Sequence, residues 1–215
     1  MSGLIADYIQ MAMIPYMAKE QKGVCKGSRG TKDHLLIDKA VIKDSRTFRK
    51  NLAMAWIDYQ KAYDSVPHSW ILESLKLYNV NTQIVQFIRK SMDQWKTQLT
   101  CAGQTLEDVN IKRGIFQGDA LSPLLFCIAL NPLSELLNEG KQHYAMKSGK
   151  KITHLLCMDD LKLYAENPKE IDSMINTAHI FSNDIGMNFG LDKCARLILQ
   201  RGRVHHTDGI ELPEG

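Results

Sequence analysis

The sequence has no CxxC pair, no long apolar run, no basic leader and no low-complexity stretch or internal repeat. Its five cysteines, Cys25, Cys101, Cys127, Cys157 and Cys194, are scattered and odd in number. That pattern does not suit a disulfide framework, and free thiols in a reducing compartment, nucleus or cytoplasm, are expected. His205 and His206 are adjacent, but no Cys lies at zinc-finger spacing from them, which argues against a structural zinc. No apolar segment reaches the roughly 18 residues that would span a bilayer, so no membrane partner is expected. The opening MSGLIADYIQMAMIPYM carries Asp7 and Gln10 where a signal peptide would need a basic start and an unbroken apolar stretch. The net charge of +3 is too weak to prove a nucleic-acid partner by itself.

What is present is an ordinary globular balance. Apolar residues make up 44% of 215 and charged residues 24%, enough for one core or one core with a lobe. Leu4, Ile5, Tyr8, Ile9, Met13 and Met17 recur at helical spacing over 3 to about 20, with Pro15 set to kink or split that helix. A basic Gly-rich loop follows at 21–30. Thr31 is placed to cap a helix whose apolar face includes Leu35, Leu36, Ala40 and Val41. LAMAWID at 52–58 reads as a buried strand ending on Asp58. Helices near 68–79 and 82–94, a hairpin at 96–102 and 106–113, and a long apolar helix at 119–138 containing Pro123 and Pro132 come next. Strands at 152–157 and 161–165 flank Met158-Asp159-Asp160 at a tight tip. Asn167-Pro168-Lys169-Glu170 is a strong helix start, Gly186 a stop, and 194–200 a last strand before a turn-like tail.

This order predicts an α+β fold: an antiparallel sheet backed by helices in a split βαβ, ferredoxin-like layout. In it, Asp58 and the Asp159-Asp160 tip meet on neighbouring central strands. Clustered carboxylates repel one another, and divalent cations with hard oxygen ligands remove that penalty. A metal pair about 4 Å apart suits in-line phosphoryl transfer. An isolated Asp-Asp at a hairpin tip, however, is more often a solvated turn.

The neighbours decide between these readings. MAWIDYQKAYDSV at 54–66 resembles motif A of reverse transcriptases, a hydrophobic residue and Asp followed by Ala, an aromatic and Asp. RGIFQGDALSP at 113–123 resembles motif B, CMDD at 157–160 motif C, and GMNFGLDKC at 186–194 motif D with its Lys; Gln21-Lys22-Gly23 resembles the fingers region. The likeness is strongest to non-LTR, LINE-like retrotransposons and covers nearly the whole chain. It implies a right-hand polymerase palm at 52–200 with a finger-like hairpin near 95–113. It also implies partial fingers at 1–51 and the truncated start of a primer grip at 201–215, with no thumb. The implied chemistry is RNA-directed DNA synthesis from dNTPs on an RNA template and a DNA primer, using two Mg²⁺ ions, with Mn²⁺ as the alternative.

By the same resemblance Asp58 and Asp159 are the metal ligands and Asp160 the accessory carboxylate. Lys193 assists the leaving pyrophosphate, Tyr63 lies under the incoming sugar, and Gln117 and Gly118 line the nucleotide and template pocket. Asp64 falls outside the catalytic set and is placed to cap the next helix. Cys157 departs from the pattern, since an aromatic normally stands there. The remaining fingers, the thumb and an endonuclease region of a longer element protein are the expected partners. Without them, Leu4, Ile5 and Ile9 should be exposed. Two other readings compete: an inactive remnant that folds or binds nucleic acid, and a nucleotide cyclase, which the Gln-Gly-x-x-x-Ser-Pro stretch does not fit.

Overall fold

The computed structural model describes residues 2–25, 27–210 and 212. In chain order the elements are α1 (Ser2–Met13), α2 (Thr31–Thr47), β1 (Leu52–Ile57), α3 (Ala62–Ser65), α4 (His68–Leu77), α5 (Thr82–Asp93), β2 (Lys96–Cys101), β3 (Gln104–Asn110), α6 (Ser122–Glu139), β4 (Tyr144–Ala145), β5 (Lys151–Ile152), β6 (His154–Cys157), β7 (Asp160–Ala165), α7 (Pro168–Asp184), β8 (Ala195–Gln200) and β9 (Arg203–Asp208). They fall into two compact units, one of residues 1–17 and 61–129, the other of 18–60 and 130–215.

The second unit holds a five-stranded sheet in the order β6-β7-β1-β8-β9. Every neighbouring pair is antiparallel. Without β9 this is the ferredoxin-like arrangement, with β1 and β7 central. LAMAWI has no polar alternation because both faces of β1 are covered. Leu52 and Met54 join Val41, Tyr144, Tyr164 and Leu199 in one buried cluster on the α2 side. Ala53, Ala55 and Ile57 are buried as well, and α7 packs against β1 and β7. Each fully buried Leu or Met contributes about 1.5–3 kcal/mol.

Helix α7 begins and ends as its sequence dictates. The Asn167 side chain accepts a hydrogen bond from the Glu170 N–H, and Pro168 takes the first turn. At the far end the Gly186 N–H donates to Asn183 and the Met187 N–H to Ser182, with Gly186 at φ 68. That is a Schellman cap, which needs the left-handed conformation Gly supplies.

Helix α2 corrects two expectations. Gly30 is its N-cap, at φ 61, and no side chain caps it, so Thr31 is already in the first turn. Leu35 and Leu36 are more than half exposed and Ala40 is also exposed; Val41, Asp44 and Ser45 are the buried positions. The helix compensates for a thin apolar stripe with acids. Asp38 accepts from Lys162 Nζ at 2.5 Å and from the Tyr164 hydroxyl at 2.9 Å. Asp44 accepts from the Tyr144 hydroxyl at 2.7 Å and from the Lys147 N–H.

The tail differs from expectation too. Residues 203–208 form a strand, β9, paired with β8 across the Arg201-Gly202 turn. Both turn residues have positive φ (49 and 75), the geometry of a two-residue hairpin. Part of the expected primer-grip range, residues 211 and 213–215, lies outside the described residues.

The first unit packs α4 against α5, burying Ile71, Leu75, Val85 and Ile88. Asn81 caps α5 by accepting from the Gln83 N–H at 2.8 Å. The β2–β3 hairpin is exposed along its whole length. Helix α1 ends at Met13, before Pro15, and its exposed apolar residues include Leu4, at 78%, and Met11, whereas Ile9 is fully buried, contrary to expectation. Asp64 caps nothing: it sits inside α3, and Pro67 precedes α4 without a side-chain cap.

Candidate active site

The register fixes where the carboxylates go. Ile57 pairs with Leu161 across β1 and β7, so Asp58 continues opposite Asp160. Cys157 pairs with Asp160 across β6 and β7, which leaves Met158 and Asp159 as a two-residue turn. All three acids therefore share one end of three adjacent strands. Lys193 joins them from the loop before β8, its Nζ 3.5 Å from Asp58 Oδ2.

Asp58 is held from two sides. Its carbonyl accepts from the Gly190 N–H at 2.8 Å, and its own N–H reaches Cys194 Sγ at 3.3 Å. Next to it the Gln60 N–H donates to Asn188 O, so residues 188–190 run as a short pairing segment beside 58–60. Tyr59 fixes the segment from inside: its hydroxyl is 3.0 Å from Ser182 Oγ, its ring meets Phe189 edge-on, and burial pushes its phenol up to about 12. A Cβ on Gly190 would stand 2.9 Å from Asp58 Oδ2, so only Gly lets the carboxylate lie there. Oδ2 is itself buried and has no hydrogen-bond partner. Lys193 is near enough to pair by charge but lacks hydrogen-bond geometry. Its side chain is 67% exposed, and such a pair is worth about 0–1 kcal/mol.

The hairpin tip is clamped by a residue whose role the sequence did not reveal. Gln21 has no exposed surface. Its Oε1 accepts from the Met158 N–H at 3.0 Å and from the Gly23 N–H at 2.8 Å, and Nε2 donates to Met158 O at 3.4 Å. The backbone of 20–22 adds along β6: the Leu156 N–H donates to Glu20 O and the Lys22 N–H to Leu156 O. Met158 sits at φ 60, a conformation a side chain enters at a cost. Thus a strained residue directly before Asp159 is tied down by one buried amide. Burial, with Asp160 and Asp58 beside it, raises the Asp159 carboxyl above its usual range; Lys193 opposes that. The Cys157 thiol is raised by burial, then by Asp160 and Asp159.

A cavity of about 330 Å³ opens beside this end, its wall including Trp56, Asp58, Cys157, Asp160, Lys162 and Lys193. Lys162 lies over the Trp56 ring at 4.1 Å and pairs with Asp38, so its ammonium is committed to structure.

Tyr63, Gln117 and Gly118 belong to the first unit. The half-buried Tyr63 ring stacks on Phe126, centroids 4.8 Å apart and planes within 4°. Gln117 and Gly118 form an exposed turn, Gly118 at φ 93, directly before α6. Asp119 supports that turn, accepting from the Leu121 N–H at 2.7 Å. Gly114 packs tightly on Asp64, where a Cβ would come 3.0 Å from its Cα.

A ferredoxin-like sheet with carboxylates at the ends of its central strands defines a class of polymerase palms and related phosphoryl-transfer domains. The family model for reverse transcriptase (RNA-dependent DNA polymerase) matches residues 5–207, and the chain belongs to that family. It is 29% identical over 168 residues to a Pol polyprotein of the R2 retrotransposable element of Popillia japonica, covering 78% of this chain and 28% of that protein. To the R2DM polyprotein of Drosophila melanogaster it is 28% identical over 166 residues, 77% of this chain and 15% of that one. The chain thus spans less than a third of these relatives. The fold is shared with the telomerase of Candida tropicalis, TM-score 0.62 at 12% identity over 97% of this chain and 44% of that one. Candida albicans telomerase, solved with a fragment of telomeric RNA, gives 0.64 at 14% identity over 93% and 33%. The α+β palm architecture expected from the sequence is therefore present.

Reverse transcriptases use divalent metal ions, and these residues suit one. The donors are hard carboxylate oxygens, one of them buried without a hydrogen bond, and a neighbouring carboxyl is raised by burial and like charge. A thiolate-type site is disfavoured because the Cys157 thiol is raised. Among the described residues, no three His, Cys, Asp or Glu groups stand close enough together to form a finished metal cage. The three acids share one strand end without the tight convergence the motifs suggested. No helix among the described residues is long and apolar enough to cross a membrane.

Proposed function

We propose that this chain is the polymerase palm, with part of the fingers, of a non-LTR retrotransposon protein. In this reading it extends a DNA primer along an RNA template. One observation carries the proposal: Asp58, Asp159, Asp160 and Lys193 share one end of the central strands, with the buried Asp58 Oδ2 left without a hydrogen bond. The primer 3′-hydroxyl gives its proton to water, its oxygen bonds to the α-phosphorus as the bridging bond to the β-phosphate breaks, and pyrophosphate leaves. Two Mg²⁺ ions (or Mn²⁺), held by Asp58 and Asp159 with Asp160 beside them, would activate the attacking oxygen and neutralise the leaving group. Lys193, an exposed cation, stabilises charge on the pyrophosphate. Tyr63, its ring held flat on Phe126, excludes a 2′-hydroxyl, and Gln117-Gly118 line the nucleotide and template pocket. The rest of the fingers, the thumb and an endonuclease region complete the working protein. Its free thiols fit a reducing setting in the nucleus or cytoplasm.

The test is primer extension on poly-rA/oligo-dT with Mg²⁺ and dTTP, by a polypeptide carrying this chain with its flanking segments. Asp159→Asn should abolish extension, whereas Tyr63→Ala should retain it and admit ribonucleotides. Extension that survives Asp159→Asn defeats the reading. Cys157, in place of an aromatic, favours a second reading, an inactive palm. That reading predicts no extension until Cys157→Tyr restores it.

A further inference from the structure

The opposite end of the same sheet has a different character. Strand β1 is six residues long, which at about 3.3 Å per residue places its start roughly 20 Å from Asp58. There the β8–β9 turn, Arg201-Gly202, meets the segment leading into β1. The Arg201 N–H donates to Asn51 Oδ1, and the Gly202 N–H donates to Lys50 O, both at 3.0 Å. Gly202 also lies against the end of α2, where a Cβ would come 2.7 Å from Arg46 Cα. Arg46, Arg49, Arg201 and Arg203 are thereby gathered on three segments locked together by backbone contacts. All four are exposed. An open recess of about 760 Å³ is lined by Arg49, Asn51, Gln200, Arg201, Arg203 and His205, with no carboxylate among the described residues of its walls. Among the described residues none of the four arginines forms an ion pair.

Two costs are accepted here. Four like charges repel, and Arg49 and Arg201 hold left-handed backbone at φ 50 and 49, where Asn or Gly is easier. A polyanion offsets the first cost, and guanidinium forks match phosphate oxygens in pairs. Its wall is mainly cationic, with His205 its one ring among the described residues, so phosphates are what it chiefly offers to bind.

We propose that this end of the sheet is a second polynucleotide site, gripping the phosphates of a single strand through Arg46, Arg49, Arg201 and Arg203, apart from the carboxylates. Binding here requires no catalysis, so the proposal does not depend on polymerase activity.

The experiment is fluorescence anisotropy on the 215-residue chain with a labelled single-stranded RNA of about 20 nucleotides, and with DNA of the same sequence, across a NaCl series. Arg49→Gln/Arg201→Gln/Arg203→Gln should weaken binding. It should also flatten the plot of log K against log salt by about 2, at roughly 0.7 for each phosphate no longer neutralised. The corresponding triple Lys variant should keep most of the slope. Weakening on both probes assigns the site to phosphates of either strand type, and weakening on RNA alone assigns it to RNA. If the triple Gln variant does not fold, phenylglyoxal labelling of the unaltered chain decides: bound RNA should shield Arg49, Arg201 and Arg203. An unchanged slope, unshielded arginines, or equal displacement by polyglutamate of matched charge would overturn the proposal.

Discussion

Gln21 commits its side-chain amide to Gly23 and to the turn that carries Asp159. Replacing it with Ala leaves the Met158 and Gly23 N–H groups without their acceptor. Buried unsatisfied donors cost about 1–3 kcal/mol, and Met158, already at φ 60, loses what holds it there. Gln21→Ala should therefore lower the urea midpoint and, in the extension-competent polypeptide, cut kcat more than KM. Gln21→Met keeps the bulk without the acceptor and should lose about as much; full recovery by Met would show that bulk alone matters. Gly190 makes the complementary case. Its Cβ would press on Asp58 Oδ2, while its backbone does not require Gly, so Gly190→Ala should leave stability within about 1 kcal/mol. Primer extension should nevertheless fall by an order of magnitude or more, since misplacement by about 1 Å costs on that scale. Wild-type rates from this variant would show that the carboxylate moves freely.

At the scale of elements, exposure separates the strands sharply. Every residue of β2 and β3 is exposed, whereas Ala53, Met54 and Ala55 of β1 have no exposed surface. Amide exchange should run fastest in β2–β3 and slowest in β1 and β7. Among the thiols, Cys101 should be alkylated first, because it is exposed, and Cys157 should lag, its thiol raised by burial and two carboxylates. Rapid labelling of Cys157 would contradict that electrostatic picture. What the sequence made legible follows from the same physics. β1 was visible because both faces are apolar, and α7 because Asn167, Pro168 and Gly186 each act locally. β9 was not visible: Arg203-Val204-His205-His206 has no apolar alternation, and its pairing depends on β8. Helix α2 misled because its inward face mixes Val41 with Asp38 and Asp44, acids bonded to Tyr144, Tyr164 and Lys162, partners that only the fold supplies. The carboxylates were legible from their motifs, but the supports of Asp58 and Asp159 were not. Gly190, Cys194 and Gln21 act through backbone contacts that leave no spacing rule in the chain.

For the molecule as a whole, the stability profile below neutrality is set by which buried groups refuse or seek a proton. His154 is 1% exposed, and burial lowers its imidazole to about 4. Its ring nitrogens lie 3.0 Å from Thr153 Oγ1 and 2.9 Å from Ser134 Oγ. Thr153 gives its one proton to Asn138, so it accepts from Nδ1–H, and Nε2 accepts from Ser134. The neutral ring is thus fully satisfied. Since the unfolded chain titrates near 6.5 and the folded one near 4, the unfolded state binds more protons in between. Stability is complete above the upper value and lost on acidification toward the lower, on the order of 3 kcal/mol in all. His34, half-buried and also lowered by desolvation, adds in the same direction. Asp159 has the opposite sign. Its carboxyl is raised, so its ionised form weighs against folding at neutral pH, and acidification through the carboxylate range relieves that. His154 prevails between 6.5 and 4, being nearly fully buried, whereas Asp159 is less enclosed and is relieved only near its own titration. Urea midpoints measured against pH should fall across that window for the unaltered chain and fall much less for His154→Gln. Asp159→Asn should raise the midpoint at pH 7 and converge with the unaltered chain in acid. Parallel curves for His154→Gln and the unaltered chain would mean that the imidazole is not the group that opposes acid.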